Sequence, residues 1–326
     1  MSADTYVVTG GTGLIGSNVC RRLIEAGHGV RALVRDVDVA APLADAGVQL
    51  VAGDVRSLDD LTTACEGATA LIHSAALLGG AAQQIDEQRV TNIEGSLHAY
   101  DAAARHGIRV VALSSTPFLD HRDTLTEHSP VAEHWSDDPY TVTKGHAYVE
   151  AKRRVAEDGD DIVLLIPGGT YGPGLVLSRA MSATSFNRAI RGAVNGKISR
   201  YLTYRSPFVY AEDVADACIA AAQRGVPGRA YLAFGQEDAQ STASWLNVAC
   251  EVAGVAHRID ELAVDPDDAA ARATYGDTLI DLATRTWPVP WFDNSITRAE
   301  LGYVPRTQRQ AMEATIPWLR ANGQIG

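Results

Sequence analysis

A glycine-rich segment between an apolar run and a helical pattern constrains the fold of this chain more than any other feature. In TYVVTGGTGLIGSNVCRRL, Gly10, Gly13 and Gly16 have the spacing G-x-x-G-x-x-G. Only glycines let a backbone turn tightly, approach a pyrophosphate and pack a helix on the preceding strand, and the helix N-terminus adds N–H groups that face anions. An ordinary glycine-rich turn would look similar, but the strand-helix context favours a dinucleotide site, with Thr9 and Thr12 bracing the turn.

Strand-length apolar runs alternate with helical patterns along most of the chain. The runs are TYVVTG, GVRALVRD, VQLVAGDV, ATALIHSAA, IRVVALSS and DIVLLIPGG. This alternation predicts an α/β fold with a doubly wound, Rossmann-type parallel sheet and helices on both faces. The pattern loosens after Pro167 and resumes in PFVYAEDVADACIAAAQRG. We therefore predict a dinucleotide-binding domain over residues 1–168 and 204–234, and a smaller, mostly C-terminal substrate lobe over 169–203 and 235–326.

Charge and cysteine content narrow the classes of partner. The net charge of −12 opposes binding to nucleic acid or to an anionic membrane, so a small molecule is the expected partner. The four cysteines are scattered without a C-x-x-C pair, which predicts neither a metal site nor disulfides and suits a reducing cytoplasm. The N-terminus lacks the pattern of an export signal, and the most apolar stretch is interrupted by His73 before it reaches a membrane-spanning length.

The end of the second predicted strand bears on the choice of cofactor. In RALVRD, Arg35 holds the place that normally faces the adenosine ribose, where arginine suits a 2′-phosphate and a carboxylate suits a 2′-hydroxyl. Asp36 beside it could serve the second role, but bidentate binding of phosphate by Arg35 favours NADP over NAD. Asp54 after the third strand could accept from the adenine amino group or cap the next helix.

The spacing Tyr-x-x-x-Lys occurs twice in PYTVTKGHAYVEAK, as Tyr140 with Lys144 and as Tyr148 with Lys152. Residues four apart lie on one face of a helix, so each ammonium could lower the pKa of its phenol by favouring the phenolate. The spacing alone does not distinguish a catalytic pair from ordinary helix surface.

An ordered set of motifs identifies a family resemblance. TGGTGLIG, GDV, HSAA, VTNIEGS, LSS, YTVTK, IPGGTYGPG and FVYAEDVADA resemble the extended short-chain dehydrogenase/reductase superfamily, also described as the NAD-dependent epimerase/dehydratase family, over residues 5 to about 220. The tail, with WFDNSITRAELGYVPR and ATIPWLRANG, is similar to the dihydroflavonol-4-reductase-like branch.

The resemblance implies a catalytic tetrad of Asn92, Ser115, Tyr140 and Lys144. Tyr140 would protonate a carbonyl oxygen as hydride arrives, and Ser115 would stabilise the developing alkoxide. Lys144 would lower the pKa of Tyr140 and bind the nicotinamide ribose, while Asn92 would hold a water chain. The distance of Tyr140 from the Pro-Gly-rich stretch matches the family, so Tyr148 is assigned to helix packing or a dimer face.

The resemblance also implies a set of cofactor-binding residues and the nature of the substrate. The cofactor residues are Thr9, Gly10, Gly11, Thr12, Gly13, Leu14, Ile15, Gly16, Arg35, Asp54, Val55, Ala75, Ala76, Tyr140, Lys144, Pro167 and Thr170. The motif after LSS departs from many relatives, so Ser114, Ser115 and Thr116 all compete for the serine role. We predict an NADP-dependent reductase of a small carbonyl compound. Some relatives form homodimers and others are monomers, so a homodimer is one of two expected states.

Two further points concern the substrate. Trp135, Phe118 and Trp287 could line an apolar cavity suited to an aromatic or alicyclic ketone, although such residues are also common in cores. Ile166 stands where sugar-nucleotide enzymes of the family commonly have arginine, which favours the reductase branch. The alternative, a nucleotide-sugar epimerase or dehydratase with tightly bound NAD, is kept open by cationic side chains in the lobe, namely Arg179, Arg188 and Arg191. A dinucleotide sensor without catalysis is disfavoured by the intact tyrosine and lysine.

Overall fold

The computed structural model describes residues 4–78, 85–135, 138–236, 240–265, 267–275, 280, 283–284 and 288–326. Trp287, a predicted wall residue of the substrate cavity, lies outside the described residues. No helix within the described ranges is long and apolar enough to cross a membrane.

A parallel sheet forms the centre of the molecule and confirms the predicted doubly wound architecture. Within the described part of the chain it has seven strands: β1 (Thr5–Thr9), β2 (Gly29–Val34), β3 (Gln49–Ala52), β4 (Ala70–His73), β5 (Arg109–Leu113), β6 (Ile162–Pro167) and β11 (Ala230–Ala233). Their order is β11-β6-β5-β4-β1-β2-β3, and every pairing is parallel. The strand order reverses between β1 and β4, the position at which open α/β sheets form a crevice for ligands.

Helices cover both faces of the sheet. One face carries α1 (Leu14–Glu25), α2 (Ala41–Asp45) and α9 (Ala211–Arg224). The other carries α3 (Leu58–Cys65), α4 (Ile85–Arg89), α5 (Gly95–His106) and α6 (Pro139–Glu157), with a π turn over Val90–Glu94 between α4 and α5. The central strands β4, β5 and β6 are buried on both faces, which explains why they appear in the sequence as continuous apolar runs.

The smaller lobe has its own core. Its helices are α7 (Leu177–Ala180), α8 (Phe186–Val194), α10 (Thr242–Ala253), α11 (Ala269–Tyr275) and α13 (Gln308–Ala321). Short strand pairs join its segments: β7 (Thr170–Tyr171) with β10 (Val209–Tyr210), β8 (Arg200–Leu202) with β13 (Asp260–Leu262), and β9 (Arg205–Ser206) with β12 (Gln240–Ser241). The fully buried Trp245 stacks on Phe208 with 4.2 Å between ring centroids. Tyr171 packs edge-on against Trp245, with 5.1 Å between their ring centroids.

One segment of the C-terminal region leaves the lobe. Helix α12 (Ser295–Leu301) contacts α9 and β11, and Leu301 and Tyr303 belong to the core under the sheet. The predicted boundary assigns residues 235–326 as a whole to the smaller lobe. The structure therefore shows a chain that crosses back to the sheet and adds apolar side chains to the core beside α9.

The start of helix α6 is determined by local sequence. The Asp138 carboxylate accepts a hydrogen bond from the Thr141 backbone N–H at 3.1 Å, and Pro139 occupies the first helical position. Tyr140 therefore lies in the first turn of α6, at the edge of the sheet where the parallel strands end.

Candidate active site

A cavity of about 1620 Å³ lies along the carboxyl ends of the strands and continues between the sheet and the lobe. Sites for a single small ligand typically have roughly 300–1,000 Å³, so this cavity has room for more than one. Most of the predicted cofactor-binding residues line it: Gly10, Gly11, Thr12, Gly13, Leu14, Ile15, Gly16, Arg35, Asp54, Val55, Ala75, Ala76, Tyr140, Lys144, Pro167 and Thr170. Ser114, Ser115 and Thr116 line it as well.

The glycine-rich turn is shaped for a pyrophosphate. Gly10 has a φ of 68°, and a Cβ on it would lie 2.7 Å from the backbone nitrogen of Ala75. A Cβ on Gly16 would lie 2.3 Å from the carbonyl oxygen of Gly10, which already accepts a hydrogen bond from the N–H of Gly13 at 2.9 Å. Helix α1 begins after Gly13 without a side-chain cap, so its first N–H groups are free to bind an anion. The turn fits a dinucleotide.

The cavity wall also includes a residue with a buried hydroxyl. Thr91 is 6% exposed and lines the cavity from the π turn, and its hydroxyl has no hydrogen-bond partner among the described residues. Unpartnered buried hydroxyls are costly, but the oxygen is enclosed by protein atoms, so a ligand in the cavity would reach it only after a local shift of the wall. Sequence reasoning missed Thr91; the only signal was its place beside Asn92 in VTNIEGS.

At the adenosine end, Arg35 and Asp36 have different environments. Arg35 is exposed in the cavity and makes no hydrogen bond or ion pair with the described residues. Asp36 uses one carboxylate oxygen to accept from the N–H groups of Asp38 and Val39, both at 3.0 Å. The aspartate thus stabilises its own turn, and the guanidinium is the free group.

Asp54 is engaged by its neighbour. Its carboxylate accepts from the backbone N–H of Arg56 at 2.9 Å and pairs with the Arg56 side chain at 2.6 Å. Burial acts to raise the pKa of Asp54, but the hydrogen bonds and charge of Arg56, together with the charge of Arg35, lower it overall. The carboxylate is therefore ionised at neutral pH and keeps lone pairs toward the cavity.

Ser115 and Tyr140 form the reactive pair in the cavity. Ser115 lies close enough to Tyr140 for its hydroxyl to lower the pKa of the phenol, an influence that neither Ser114 nor Thr116 exerts. Burial is the largest influence on the pKa of Tyr140 and raises it; the Ser115 hydroxyl lowers it, and Asp138 raises it. The net direction is upward, contrary to the expectation that Lys144 lowers this pKa.

Lys144 explains the difference, because its ammonium is directed elsewhere. Its Nζ donates to the backbone carbonyl of Leu113 at 3.0 Å, at the end of β5. Burial, with the side chain 7% exposed, lowers the pKa of Lys144 to about 8. Lys144 therefore stands at the cavity wall as a group that titrates near physiological pH, one helical turn from Tyr140.

Asn92 has a different place from the one predicted. It does not line the cavity; it is 1% exposed, and its amide accepts from the Leu77 N–H at 2.8 Å and donates to the Leu77 carbonyl and to Thr143 Oγ1, both at 3.1 Å. These bonds make the side chain an internal brace, and the role in holding a water chain stays a prediction. The amide joins the segment after β4 to helix α6.

Thr9 is likewise an internal brace. It is fully buried and absent from the cavity wall, and its hydroxyl accepts from the Ala75 N–H at 3.3 Å. The predicted bracing role is present, but direct contact with a cofactor through this side chain is not. The second pair, Tyr148 and Lys152, also lies off the cavity. The ring centroids of Tyr148 and Phe118 are 5.0 Å apart, and Lys152 Nζ donates to the Gly228 carbonyl at 2.7 Å.

The substrate end of the cavity has an aromatic wall. Trp135 and Trp291 line it, together with His121, whose ring lies parallel to Trp291 at 6.0 Å. Phe118, expected in this wall, is fully buried against α6 and does not line the cavity. Trp291 belongs to WPVPWF, a stretch that the sequence predicts as a wall of the cavity, although Trp287 is the residue named from it.

The facing wall, from the lobe, is polar and cationic. Arg179 and Arg205 line the cavity, and their side chains have no hydrogen-bond or ion-pair partner among the described residues. Arg188 and Arg191, which the sequence analysis grouped with Arg179, are not part of the wall; Arg191 donates to Gln324 at 3.0 Å.

Comparisons with known proteins agree with this geometry. The model of the NAD dependent epimerase/dehydratase family matches residues 6–233. Sterol demethylase protein B of Methylococcus capsulatus is 26% identical over 98% of this chain and 100% of its own length. Tetraketide alpha-pyrone reductase 2 of Arabidopsis thaliana is 30% identical over 66% of this chain and 73% of its own length. Among solved structures, that of gox2253 superposes with a TM-score of 0.84 at 26% identity, covering 99% of this chain and 100% of the other.

Proposed function

The chain belongs to the NAD-dependent epimerase/dehydratase family, the extended short-chain dehydrogenase/reductases, and we propose that within this family of NAD(P)-dependent enzymes it is an NADPH-dependent carbonyl reductase. Its substrate is a small apolar or aromatic ketone or aldehyde. The observation that carries the proposal is that Ser115, Tyr140 and Lys144 line the same cavity as the glycine-rich turn.

The residues divide the work of carbonyl reduction. The dinucleotide, held by the glycine-rich turn, would supply a hydride to the carbonyl carbon. Tyr140 gives its phenolic proton to the carbonyl oxygen, so the C=O double bond becomes C–H and O–H. The raised pKa of Tyr140 keeps the phenol protonated at neutral pH, which is the form a proton donor needs. Ser115 stabilises the oxygen as it gains charge, and Lys144, at the cavity wall, would hold the ribose of the bound dinucleotide.

The environment of Arg35 supports NADP over NAD. A 2′-phosphate offers a guanidinium two charge-assisted hydrogen bonds, and Arg35 is free to make them. A 2′-hydroxyl is recognised by a carboxylate; Asp36 uses Oδ1 for the N–H groups of its own turn, and its second oxygen is the group through which NAD would compete.

The aromatic wall supports an apolar substrate. Trp135 and Trp291 offer flat apolar surface beside Tyr140, which suits a ring or a short aliphatic body. The names of two relatives, a tetraketide alpha-pyrone reductase and a sterol demethylase protein, also refer to ring compounds.

The test is a comparison of NADPH and NADH oxidation by the purified protein over a panel of aromatic, alicyclic and aliphatic ketones and aldehydes. We expect stoichiometric oxidation of NADPH by at least one ring ketone. Tyr140→Phe should reduce kcat by roughly 10²- to 10⁴-fold, the usual contribution of a general acid, and leave the Kd of NADPH unchanged. Tyr148→Phe, on the same helix but off the cavity, is the matched control and should behave as wild type. Normal turnover by Tyr140→Phe would refute the assignment.

The unpartnered Arg179 and Arg205 favour a second candidate, a nucleotide-sugar epimerase or dehydratase. Guanidinium groups on the lobe wall are suited to a diphosphate. Such an enzyme regenerates its cofactor in each cycle, so the purified protein should carry NAD that is released only on denaturation. With nucleotide sugars it should show product formation without net change in absorbance at the wavelength of the reduced cofactor.

A further inference from the structure

A buried histidine connects the two halves of the candidate site without taking part in the proton transfer. His73 ends strand β4 and is 2% exposed. Its Nδ1 lies 2.9 Å from Thr9 Oγ1, and its Nε2 lies 3.2 Å from Ser96 Oγ. Both ring nitrogens are therefore bonded to hydroxyls, on strand β1 and on helix α5.

The hydrogen bonds of Ser96 determine which nitrogen carries the proton. Ser96 Oγ lies 2.7 Å from the backbone carbonyl oxygen of Asn92. A carbonyl can only accept, so the hydroxyl proton is committed to Asn92 and the Ser96 oxygen must accept from His73. The imidazole is consequently the Nε2–H tautomer.

The other side of the ring follows from this assignment. With its proton on Nε2, His73 has an acceptor at Nδ1, to which the Thr9 hydroxyl donates. The Thr9 oxygen in turn accepts from the Ala75 N–H at 3.3 Å. Of the two neutral tautomers, only the Nε2–H form keeps all of these bonds, because in the Nδ1–H form Nε2 would face an oxygen whose proton is committed to Asn92.

The two ends of the series reach different parts of the site. Ala75 lines the cavity and is in close contact with the glycine-rich turn. A Cβ added to Gly10 would lie 2.7 Å from the backbone nitrogen of Ala75. Asn92 holds Leu77 on one side and Thr143 of helix α6 on the other. The first end therefore shapes the cofactor wall, and the second orients the helix that carries the catalytic pair.

The surroundings of the ring keep it neutral. Burial, and secondarily the charge of Lys144, lower the pKa of His73 to about 3. An imidazolium would have two donors and no acceptor, and would leave the Thr9 hydroxyl without its partner.

We propose that His73, as the Nε2–H tautomer, is a positioning residue whose Nδ1 side sets the affinity for the dinucleotide and whose Nε2 side sets the rate of turnover. The part that concerns turnover rests on the proposed reductase function; the part that concerns affinity does not.

Two substitutions separate the two sides of the ring. In His73→Asn the amide oxygen takes the place of Nδ1 and keeps the bond to Thr9. In His73→Gln the amide N–H takes the place of Nε2 and keeps the bond to Ser96. The loss of a hydrogen bond that leaves a buried polar group unpaired corresponds to roughly a tenfold change in a dissociation constant or a rate constant. We therefore expect His73→Gln to weaken NADPH binding about tenfold in calorimetric titration, and His73→Asn to lower kcat about tenfold at saturating NADPH.

A second pair of variants leaves the imidazole in place. Thr9→Val removes the hydroxyl on the Nδ1 side and should weaken NADPH binding with little change in kcat. Ser96→Ala removes the hydroxyl on the Nε2 side and should do the reverse. The matched control is His106→Gln on the same helix α5, where the ring bonds only to the Thr62 carbonyl outside the cavity; it should change neither quantity.

The tautomer is measured directly by ¹⁵N NMR of histidine-labelled protein, with the His73 signals assigned by their loss in His73→Gln. We expect a protonated Nε2 and an unprotonated Nδ1 at neutral pH. A protonated Nδ1, or equal effects of His73→Asn and His73→Gln on affinity and on turnover, would overturn the proposal. If wild type reduces no carbonyl compound, the proposed function fails, but the titrations with NADPH and the NMR signals still test the role of His73.

Discussion

Substitution of Gly16 by alanine tests whether the backbone of the glycine-rich turn, and not its side chains, forms the cofactor site. The added Cβ would lie 2.3 Å from the carbonyl oxygen of Gly10, 2.8 Å from the Gly10 carbonyl carbon and 2.9 Å from Ser74 Oγ. Two of these atoms belong to the backbone and cannot rotate away. To restore an acceptable contact, helix α1 and the turn must separate by about 0.7 Å, an overpacking that typically costs about 1–3 kcal/mol.

The displacement acts on binding as well as on stability. The carbonyl oxygen that the methyl group would push away accepts the N–H of Gly13, which closes the turn. A misplacement of about 1 Å can reduce the efficiency of a site by roughly 10²-fold, so we expect the Kd of NADPH to rise by about 10- to 100-fold. The free energy of unfolding, measured in urea without cofactor, should fall by about 1–3 kcal/mol.

The matched control is Gly225→Ala. A Cβ there would lie 2.6 Å from the Ala221 carbonyl oxygen, a comparable backbone clash, but Gly225 follows α9 and does not line the cavity. It should lower stability to a similar extent and leave the Kd of NADPH unchanged. If Gly16→Ala bound NADPH with wild-type affinity while retaining the same destabilisation as the control, the reasoning that this backbone contacts the dinucleotide would be refuted.

Three other predictions follow from the geometry. Arg35→Gln should raise the KM for NADPH by about 10- to 100-fold, because a charge-assisted bond to the 2′-phosphate is worth roughly 1.5–3 kcal/mol; an equal rise for NADH would contradict this. Since the pKa of His73 is lowered to about 3, the unfolded state binds the extra proton between pH 6.5 and 3, and folding stability is lost as the pH falls through that range. Urea unfolding should show a loss of about 2 kcal/mol between pH 7 and pH 5 that is absent in His73→Gln. Glu127→Ala leaves the N–H and hydroxyl of Thr297 without their acceptor, at 2.8 and 2.6 Å. It should raise the KM for the ketone more than the Kd of NADPH, because Leu125, two residues before Glu127, donates its N–H to the Trp291 carbonyl at 2.9 Å; a change in Kd alone would contradict it.

Local sequence was sufficient for the sheet and the glycine-rich turn. A strand buried on both faces must be apolar along its whole length, and a turn that closes on itself within van der Waals distance must be glycine, so both leave a signature in consecutive residues. For the same reason Gly10, Gly13 and Gly16 could be assigned to one turn, and Tyr140 and Lys144 to one face of a helix.

The environment of each polar group was decided by the tertiary structure. Three features depend on residues distant in the chain. Lys144 donates to the Leu113 carbonyl, Asn92 braces Leu77, and Phe118 is buried in the core while Trp291 lines the cavity. Desolvation and hydrogen bonding are properties of the assembled surroundings, so the pKa of Tyr140 rises although the residue four positions away is a lysine. The sequence by itself determined which chemical groups and which backbone shapes are present. Only the packing of separate segments decided which of those groups face the cavity, as Arg35 does, and which hold the structure together, as Asn92 does.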